Sequence, residues 1–362
     1  MRTIASGASA LRESAALLRR LYLSYGYEEV LTPSCEPWDE LRPALGARAR
    51  KDSIKLIGDG GELLVLRPEV TAGLLRRALR EIPKGAVRRY FYCQKIYRRG
   101  ASLTGRTEFW QAGGEILGGG GILYDAEAID LLGKSLALLR VPAYTREIGD
   151  AGLLGELVED GPLREEFKIA LARHDGSAAR ALAERAPAPM RPLLRELPFL
   201  RGEAGVLDTA RGLAPRPLQA LDRLRELAQA LAARGALDHV MFDLALSGWA
   251  DYYDGPLVEV YAGGRADAVG AGGRYDGLTT LYGKPLPVCG AALMLDPLLE
   301  GAAPAEKIPA VLVIGDDDAA SRRAADLRAG GTIVIQIAAL QPDTLTDLKT
   351  VYDLTDPGGR PC

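Results

Sequence analysis

The 362-residue chain is 48% hydrophobic and 26% charged, the composition of a globular protein with room for one large domain and a small one. Its net charge of −3 gives no overall attraction to nucleic acid. Apolar runs are too short for a membrane span, and the N-terminus lacks the apolar core of a signal peptide. Four scattered cysteines and two histidines argue against a disulfide framework and a zinc site. We expect a cytoplasmic protein without a metal or other cofactor, and without membrane or nucleic-acid partners.

The N-terminal part of the chain mixes helical and strand patterns. Apolar residues recur at three- and four-residue steps over residues 9–25, which predicts an amphipathic helix. Residues 27–33 predict a short strand that ends in proline. Residues 54–66 predict a hairpin, because a Gly-Asp-Gly-Gly turn separates two apolar runs, and a helix follows from about 71 to 80.

The middle of the chain places strands on either side of a helical segment. Residues 89–97 and 108–117 predict two strands joined by a polar loop that contains glycine. From about 150 to 238 the chain is rich in Ala, Leu and Arg at helical spacing and is broken by prolines, which indicates a helical insertion. Strand patterns return at 240–246 and 257–261.

A small α/β unit closes the chain. Residues 311–314 and 332–337 predict strands around a helix at 319–328. We therefore predict a large domain of residues 1–305 and a small domain of residues 306–362. Because hairpins dominate the large domain, its sheet should be mostly antiparallel, and the predicted fold class is α+β.

One predicted strand, residues 109–115, carries polar side chains on a single face. Alternation puts Gln111, Gly113 and Glu115 on that face, with the two polar side chains about 13 Å apart. A glycine between them could leave an open floor on which a small ligand touches both polar ends. The alternative is a β-bulge at the glycines, with both polar groups facing water.

Glu69 follows a proline near the predicted start of a helix. In one interpretation its carboxylate caps the helix, where it is favoured by the positive end of the helix dipole. In the other it receives the ammonium group of a ligand through a charge-assisted hydrogen bond. The local sequence is compatible with both.

Two glycine-rich stretches and one acidic stretch could each contact phosphate. Residues 271–278, AGGRYDGL, allow close approach of the backbone to a ligand while Tyr275 packs beside it, whereas 118–121 is typical of a flexible turn. Neither is followed by Lys-Ser or Lys-Thr or opens a helix after a strand, so a nucleotide phosphate loop is excluded. The aspartates at 316–318 are similar to those of phosphoribosyltransferases, but no small-residue phosphate loop follows, which favours helix capping.

Taken together, these segments resemble the catalytic core of class II histidyl-tRNA synthetases over about residues 8–300. Residues 27–33 are similar to the strand at the two-fold interface of that class. Residues 271–278 and the Asp-Tyr-Tyr at 251–253 are similar to its two histidine-specific stretches. The resemblance implies a class II synthetase-like antiparallel sheet flanked by helices, and a homodimer.

The same resemblance implies roles for individual residues. The stretch 67–71 is similar to the site for the α-amino group of histidine, and 89–115 to an ATP-binding strand–loop–strand in which Arg98 is a possible anion-binding residue. The implied histidine-binding residues are Glu69, Thr71 and Gln111 for the ammonium group, Glu115 and Tyr253 for the imidazole, and Tyr275 in the wall. No residue is expected to be catalytic.

Three departures from the synthetase pattern argue against adenylation. Gly100 stands where the pattern has a glutamate near adenine, and residues 246–251 lack the Arg-Gly dipeptide that polarises the attacking carboxylate. Residues 294–297 read Met-Leu-Asp-Pro where synthetases have Gly-Leu-Glu-Arg, whose arginine clamps the γ-phosphate. Charge neutralisation dominates chemistry at phosphorus, so the loss of two cations should abolish adenylation.

The tail also differs, since synthetases of this type carry an anticodon-binding domain of about 100 residues and only residues 307–362 follow Glu306. These features resemble the family of regulatory subunits of short-form ATP phosphoribosyltransferase, the first enzyme of histidine biosynthesis. The resemblance implies a subunit that joins the short catalytic subunit in a hetero-octamer, activates it and conveys inhibition by free histidine. Two alternatives stay open: a divergent but active histidyl-tRNA synthetase, and a stand-alone amino-acid- or RNA-binding module.

Overall fold

The computed structural model of the protein describes residues 4–99, 107–246, 252–299, 310–314, 318–329, 334–337 and 348–353. The chain forms two compact units, one of residues 11–302 and the other of residues 1–10 with 303–362. None of the described helices is long and apolar enough to cross a membrane.

The described residues contain both strands and helices throughout the chain. The strands are β1 (Glu28–Glu29), β2 (Cys35–Pro37), β3 (Lys55–Ile57), β4 (Leu63–Leu66), β5 (Arg88–Tyr97), β6 (Glu108–Leu117), β7 (Tyr144–Asp150), β8 (Arg201–Gly202), β9 (Val240–Asp243), β10 (Pro256–Ala262), β11 (Gly270–Arg274), β12 (Val288–Met294), β13 (Ala310–Ile314), β14 (Val334–Ile337) and β15 (Leu348–Asp353). The α-helices are α1 (Ile4–Ser24), α2 (Trp38–Leu41), α3 (Ala47–Asp52), α4 (Thr71–Glu81), α5 (Ile122–Leu138), α6 (Leu153–Leu157), α7 (Pro162–Ala172), α8 (Gly176–Ala183), α9 (Arg191–Glu196), α10 (Gly205–Leu213), α11 (Gln219–Ala233), α12 (Asp276–Thr280), α13 (Leu295–Leu299) and α14 (Asp318–Ala329).

The larger unit is built on a nine-stranded sheet with the order β1-β5-β6-β12-β11-β10-β7-β9-β8. Its strand pairs are antiparallel except for β1 with β5 and β7 with β9, which are parallel. A small antiparallel sheet of order β2-β4-β3 contains the predicted hairpin. Helices α6 to α11 lie between β7 and β9 in the chain, where the helical insertion was expected. The α+β prediction, with a mainly antiparallel sheet flanked by helices, is confirmed.

The two faces of the central strands have different surroundings. On β6, β12 and β11 the aligned residues Glu115, Gly290 and Gly273 share one face, and their neighbours Ile116, Cys289 and Arg274 share the other. Helix α5 packs against the second face. A cavity lies on the first face, and α5 therefore supports the strands from behind.

Helix α5 was not predicted from the sequence, although it is a main part of the core. Its inward residues Ala126, Ile129, Leu132 and Leu136 are buried, and each large apolar side chain contributes about 1.5–3 kcal/mol by leaving water. Glu127 near its start forms an ion pair with the Nε of Arg89 on β5 at 2.7 Å. The helix and the cavity strands are thus joined by apolar packing and by a partly buried ion pair.

The strand predicted over residues 27–33 is much shorter than expected. Only β1 pairs with β5, and beyond it the side chain of Gln94 replaces the ladder. Its Oε1 accepts from the Thr32 N–H at 3.1 Å, and its Nε2 donates to the Val30 carbonyl at 2.9 Å. Because these bonds satisfy the backbone of the segment, it stays extended without strand pairing, and Leu31 remains 79% exposed.

The smaller unit contains a parallel sheet of order β14-β13-β15 and the helix α14. Val313 on β13 and Ala324 on α14 are fully buried and belong to the same small hydrophobic core. The predicted strands and helix of this segment are present, and β15 was not predicted. The predicted capping aspartates at 316 and 317 lie outside the described residues.

Candidate functional site

A cavity of about 350 Å³ opens on the face of β6, β12 and β11 that is opposite α5. Residues from α3, from the start of α4, from the segments 252–253 and 265–269, and from α13 also line it. Its walls combine apolar and aromatic surface with acidic and basic groups. A concave site of this size and character suits a small molecule that carries several charges.

Glu115 is the buried centre of the cavity floor. The Thr71 Oγ1 donates to its Oε1 at 2.6 Å, and the Tyr275 hydroxyl donates a short hydrogen bond to its Oε2. Burial raises the pKa of Glu115 from 4.5 to about 7, although both hydrogen bonds oppose the rise. Because these two donors are neutral, a ligand group that is cationic or carries an N–H would stabilise the charged carboxylate further.

Glu69 caps a helix, as the first interpretation expected, and it also lines the cavity, where its role toward a ligand ammonium group stays a prediction. The Ala72 N–H, in the first turn of α4, donates to Glu69 Oε1 at 3.3 Å. Burial raises the pKa of Glu69, and the nearby charge of Arg98 opposes that rise. A bound ammonium group beside Glu69 would favour its ionised form in the same way.

Arg98 is a buried cation at the same end of the cavity. Its Nε donates to the Pro68 carbonyl at 2.5 Å, and only 6% of its surface is exposed. Burial lowers the pKa of Arg98, while the charge of Glu69 opposes that decrease. Arg67, in contrast, points away and donates to the carbonyls of Pro33 and Lys95. Its role is to hold the chain segments behind the site.

Three tyrosines form one aromatic wall of the cavity. The ring centroids of Tyr252 and Tyr275 are 5.5 Å apart and those of Tyr253 and Tyr275 are 6.1 Å apart, within the range of favourable aromatic pairs. The Asp254 carboxylate, which follows the first two tyrosines, accepts from the Gly277 N–H at 2.7 Å. Two segments distant in sequence are therefore locked into one wall.

Gln111 offers an unused acceptor. Its Oε1 is buried and has no hydrogen-bond partner among the described residues, and the residue lines the cavity. A buried polar atom without a partner costs about 1–3 kcal/mol. A ligand donor, such as an ammonium group, would remove that cost.

The seven residues implied by the family resemblance converge on this single cavity. They are Glu69, Thr71, Arg98, Gln111, Glu115, Tyr253 and Tyr275. Sequence reasoning missed several others that line it, among them Tyr92, Gly290 and the cations Arg48 and Arg265. Alternation along β5 could have identified Tyr92, whereas Gly290 becomes visible only from the pairing of β12 with β6.

The expectation that glycines form an open floor beneath a ligand was wrong. A Cβ atom on Gly113 would lie 2.6 Å from the Cβ of Ala292, and one on Gly272 would lie 2.4 Å from the Cβ of Ala291. Both glycines therefore allow β12 to pack closely against its neighbours. The floor includes the buried side chain of Glu115, which is only 2% exposed.

The residues that depart from the synthetase pattern near 294–297 lie in the wall of the same cavity. Pro297 and Asp296 both line it, and Asp296 Oδ2 accepts from the Trp110 N–H on β6 at 2.5 Å. An acid and a proline thus occupy the part of the wall where the resemblance implies a second cation. The other two departures, at Gly100 and in residues 247–251, lie outside the described residues.

Comparison with known proteins matches residues 5–298 to the family described as histidyl-tRNA synthetase. The chain is 33% identical over 327 residues to an ATP phosphoribosyltransferase regulatory subunit of Rubrobacter xylanophilus, covering 87% of this chain and 78% of the relative. It is 34% identical over 346 residues to the regulatory subunit of the same name from Moorella thermoacetica, covering 91% and 88%. The chain belongs to the histidyl-tRNA synthetase-like family of ATP phosphoribosyltransferase regulatory subunits.

A solved structure agrees with this membership at the level of the fold. A Bacillus halodurans protein described as an ATP phosphoribosyltransferase regulatory subunit/histidyl-tRNA synthetase superposes with a TM-score of 0.83. The match covers 96% of this chain and 94% of that one at 24% sequence identity. The regulatory-subunit family therefore keeps the synthetase-like sheet on which the cavity described above is built.

Proposed function

We propose that the chain is a non-catalytic regulatory subunit of short-form ATP phosphoribosyltransferase, which activates the catalytic subunit and conveys feedback inhibition by histidine. One observation carries the proposal. The cavity keeps a buried carboxylate at Glu115, held by Thr71 and Tyr275, while Pro297 lies in its wall where the resemblance implies an arginine. A retained amino-acid pocket with fewer phosphate-binding cations fits a sensor better than a ligase. The names of the relatives from Rubrobacter and Moorella agree with this proposal.

Free histidine is the proposed effector, and the polarity of the cavity suits it. The imidazole N–H would donate to Glu115, whose other hydrogen bonds come from neutral hydroxyl groups. The ammonium group would lie between the Glu69 carboxylate and the unpartnered Oε1 of Gln111. Tyr253 would pack along the ring. Each ligand group thus meets a protein group of complementary charge or hydrogen-bonding capacity.

Arg98 is our candidate for the counter-charge of the histidine carboxylate. It is buried, lines the cavity and already interacts with Glu69 at the end where the α-carbon groups would lie. An Arg98–carboxylate contact together with a Glu69–ammonium contact would recognise both charges of an α-amino acid. The site would then select for free amino acids over imidazole alone.

Adenylation is not expected from this arrangement. Chemistry at phosphorus needs cations around the transferring group, and the loss of one commonly costs orders of magnitude. Helix α13 contributes Asp296 and Pro297 to the cavity instead. A divergent synthetase would have to bind ATP next to the Asp296 carboxylate, which favours the regulatory interpretation.

The proposed assembly is a homodimer that joins the short catalytic subunit in a hetero-octamer. The segment after β1 supports the homodimer, because Leu31 is 79% exposed on a segment that the resemblance places at a two-fold interface. A single exposed apolar side chain is ordinary on a protein surface, so the homodimer rests on the resemblance, and Leu31 is the position at which it can be tested. We also propose that residues 1–305 and 306–362 are separate domains.

Calorimetry with free histidine and inhibition curves on the assembled enzyme test the proposal together. Histidine should bind the wild-type subunit, and Glu115→Ala should weaken binding roughly 10- to 150-fold, since a hydrogen bond to a charged group contributes about 1.5–3 kcal/mol. The same variant should raise the histidine concentration needed to inhibit the complex. Unchanged inhibition by histidine in a complex containing Glu115→Ala would place the sensing site elsewhere.

A pyrophosphate-exchange assay separates the regulatory proposal from the synthetase alternative. Histidine-dependent exchange with ATP should stay at background for the purified chain. Robust exchange would identify a divergent synthetase. Histidine binding without any effect on a short catalytic subunit would instead favour a stand-alone amino-acid-binding module.

A further inference from the structure

Two sets of contacts join β6 to β11 across the strand that separates them, β12. On the cavity face, Tyr275 at the end of β11 donates to Glu115 on β6, above Gly290. On the opposite face, Arg274 extends past Cys289 toward α5. Because Arg274 and Tyr275 are consecutive residues, their contacts hold the backbone at the end of β11 from both sides of the sheet.

The guanidinium group of Arg274 has an unusually complete set of buried partners. It forms an ion pair with Asp125 on α5 at 2.7 Å and donates to the carbonyls of Gly119 and Gly121 at 3.3 and 3.2 Å. It also donates to Asp276 at 3.1 Å. Only 8% of Arg274 is exposed. A planar group with donors in several fixed directions restricts its own backbone far more than a lysine would.

The backbone on both sides of Tyr275 is fixed by these contacts. The Arg274 carbonyl accepts from the Asp254 N–H at 3.0 Å, and the Tyr275 N–H donates to the Val288 carbonyl at 3.0 Å. The turn that Arg274 grips, which contains Gly119, directly follows β6, the strand that carries Glu115. Arg274 therefore ties the donor and the acceptor of the Tyr275–Glu115 bond to one another from behind the sheet.

We propose that Arg274 is a positioning residue for the effector pocket, which keeps the Tyr275 hydroxyl on the Glu115 carboxylate by anchoring β11 to Asp125 and to the turn after β6. It does not touch the cavity, and it acts through Tyr275. The ligand part of this inference rests on the proposed function. The Tyr275–Glu115 contact itself is made between two groups of the protein and is independent of which ligand the cavity takes.

The titration of Glu115 in the ligand-free protein tests the inference directly. The carboxyl signal is followed by NMR with labelled glutamate and assigned with Glu115→Gln. Tyr275→Phe removes a hydrogen bond that favours the charged form, so the Glu115 midpoint should move to higher pH. Arg274→Gln should move the midpoint in the same direction. The double variant should have the same midpoint as Tyr275→Phe alone, because both substitutions remove the same hydrogen bond, that between Tyr275 and Glu115.

Arg146→Gln is the matched control, since Arg146 is also buried and donates to backbone carbonyls, those of Ile129 and Ala236. It should lower the melting temperature without moving the Glu115 midpoint. If Arg274→Gln also lowers the melting temperature without moving the Glu115 midpoint, while Tyr275→Phe does move it, Arg274 has only a structural role and the proposal fails. If Arg274→Gln does not fold, Arg274→Lys replaces it, because an ammonium group cannot reach Asp125 and both glycine carbonyls together. An unchanged Glu115 midpoint in Arg274→Lys would also contradict the proposal.

Histidine affinity provides the second measurement. Arg274→Gln should weaken binding roughly 10- to 150-fold, as Tyr275→Phe does, through the loss of one hydrogen bond to a charged group. Absence of histidine binding in the wild-type protein would defeat the proposed function but not this inference, which the titration in the free protein decides separately. Wild-type affinity in a folded Arg274→Gln would count against the positioning role.

Discussion

Gly290 on β12 lies directly opposite Glu115 on β6, and the Glu115 carboxylate occupies the volume that a side chain at position 290 would take. A Cβ atom built on Gly290 would lie 1.7 Å from Glu115 Oε2. The same Oε2 accepts the hydrogen bond of Tyr275. The absence of a side chain at 290 is therefore a condition for the buried carboxylate and for its contact with the tyrosine.

Gly290→Ala should weaken histidine binding at least about tenfold, because the new methyl group displaces the carboxylate from its hydroxyl donors. The backbone cannot relieve the clash easily, since the Gly114 carbonyl would be 2.6 Å from the same Cβ. Calorimetry with histidine measures the change. Gly212→Ala on α10 is the control, because nothing lies within 4 Å of its Cβ position. Equal affinities of wild type and Gly290→Ala would show that Glu115 is not the imidazole partner.

Histidine affinity should decrease as the pH falls below about 7. Burial raises the pKa of Glu115 to about 7, and a free imidazole has a pKa near 6.5. Below these values both partners carry a proton, so forming an imidazolium–carboxylate contact releases one, and affinity should fall by up to about tenfold for each pH unit. Calorimetry between about pH 5.5 and 7.5 measures this slope. A slope that persists unchanged in Glu115→Gln would assign the titration to another group.

The buried carboxylate should also cost stability at alkaline pH. Its folded-state pKa lies above the ordinary value of 4.5, so the folded protein binds the proton more tightly than the unfolded chain, and that contribution is lost as the pH rises through about 7. One pKa unit corresponds to about 1.4 kcal/mol, so ionisation costs about 3 kcal/mol. Glu115→Gln should therefore raise the free energy of unfolding by up to about 3 kcal/mol at pH 8 and by much less at pH 5.

Denaturant unfolding at the two pH values measures this difference. Glu226→Gln, on the exposed face of α11, is a control that changes the same functional group without a buried charge. Equal effects of Glu115→Gln at both pH values would mean that the Glu115 carboxyl is already ionised in the folded protein at pH 5, as it is in the unfolded chain. A buried carboxylate with a raised pKa lowers stability, and such groups are concentrated at functional sites.

Local patterns predicted the β5–β6 hairpin and its polar face, because alternation and turn chemistry act over a few residues. They could not show that Gly290 faces Glu115, since that pairing joins strands that are far apart in the sequence. The hydrophobic run of α5 was missed because both of its sides are buried, which removes the usual helical periodicity. The strand predicted at 27–33 failed because a side chain, Gln94, took the place of a backbone partner.

Leu31→Asp should dissociate the proposed homodimer. Leu31 is 79% exposed, yet the backbone beside it is fixed by Gln94, so a charge there would be forced into the interface. Sedimentation at micromolar concentration should give a dimer for the wild type and a monomer for the variant. Leu123→Asp is the matched control, since Leu123 is 56% exposed in the first turn of α5. A wild-type monomer, or a dimeric Leu31→Asp, would move the interface away from this segment.

A second group of buried carboxylates lies on the sheet next to the helical segment. Glu147 on β7 and Glu259 on β10 are directly paired across the strands, and Asp243 on β9 lies nearby. Each is less than a tenth exposed. Burial raises the pKa of Asp243 and of Glu259, and the neighbouring carboxylates add to the rise. Like charges opposite one another destabilise a sheet unless a cation intervenes.

The main cation in this group is Arg201 on β8, within the helical segment. It donates a short hydrogen bond to Glu147 and lies 3.8 Å from Asp243. Tyr261 donates to Glu259 at 2.6 Å, and the charge of His174 lowers the pKa of both Asp243 and Glu259. The contacts of Arg201 therefore join the helical segment to the sheet by charge as well as by apolar packing.

Arg201→Gln should destabilise the protein by about 1–3 kcal/mol at pH 8 and by less at pH 5, because the variant leaves buried carboxylates without their guanidinium partner. The sign follows from the raised pKa values of Asp243 and Glu259, whose neutral forms are favoured in the folded state, so that stability is lost as the pH rises. Thermal and denaturant unfolding at both pH values measure the effect. Arg195→Gln removes the exposed pair with Glu184 and should change stability equally little at either pH. A loss for Arg201→Gln that is as large at pH 5 as at pH 8 would mean that packing, rather than charge, joins the helical segment to the sheet.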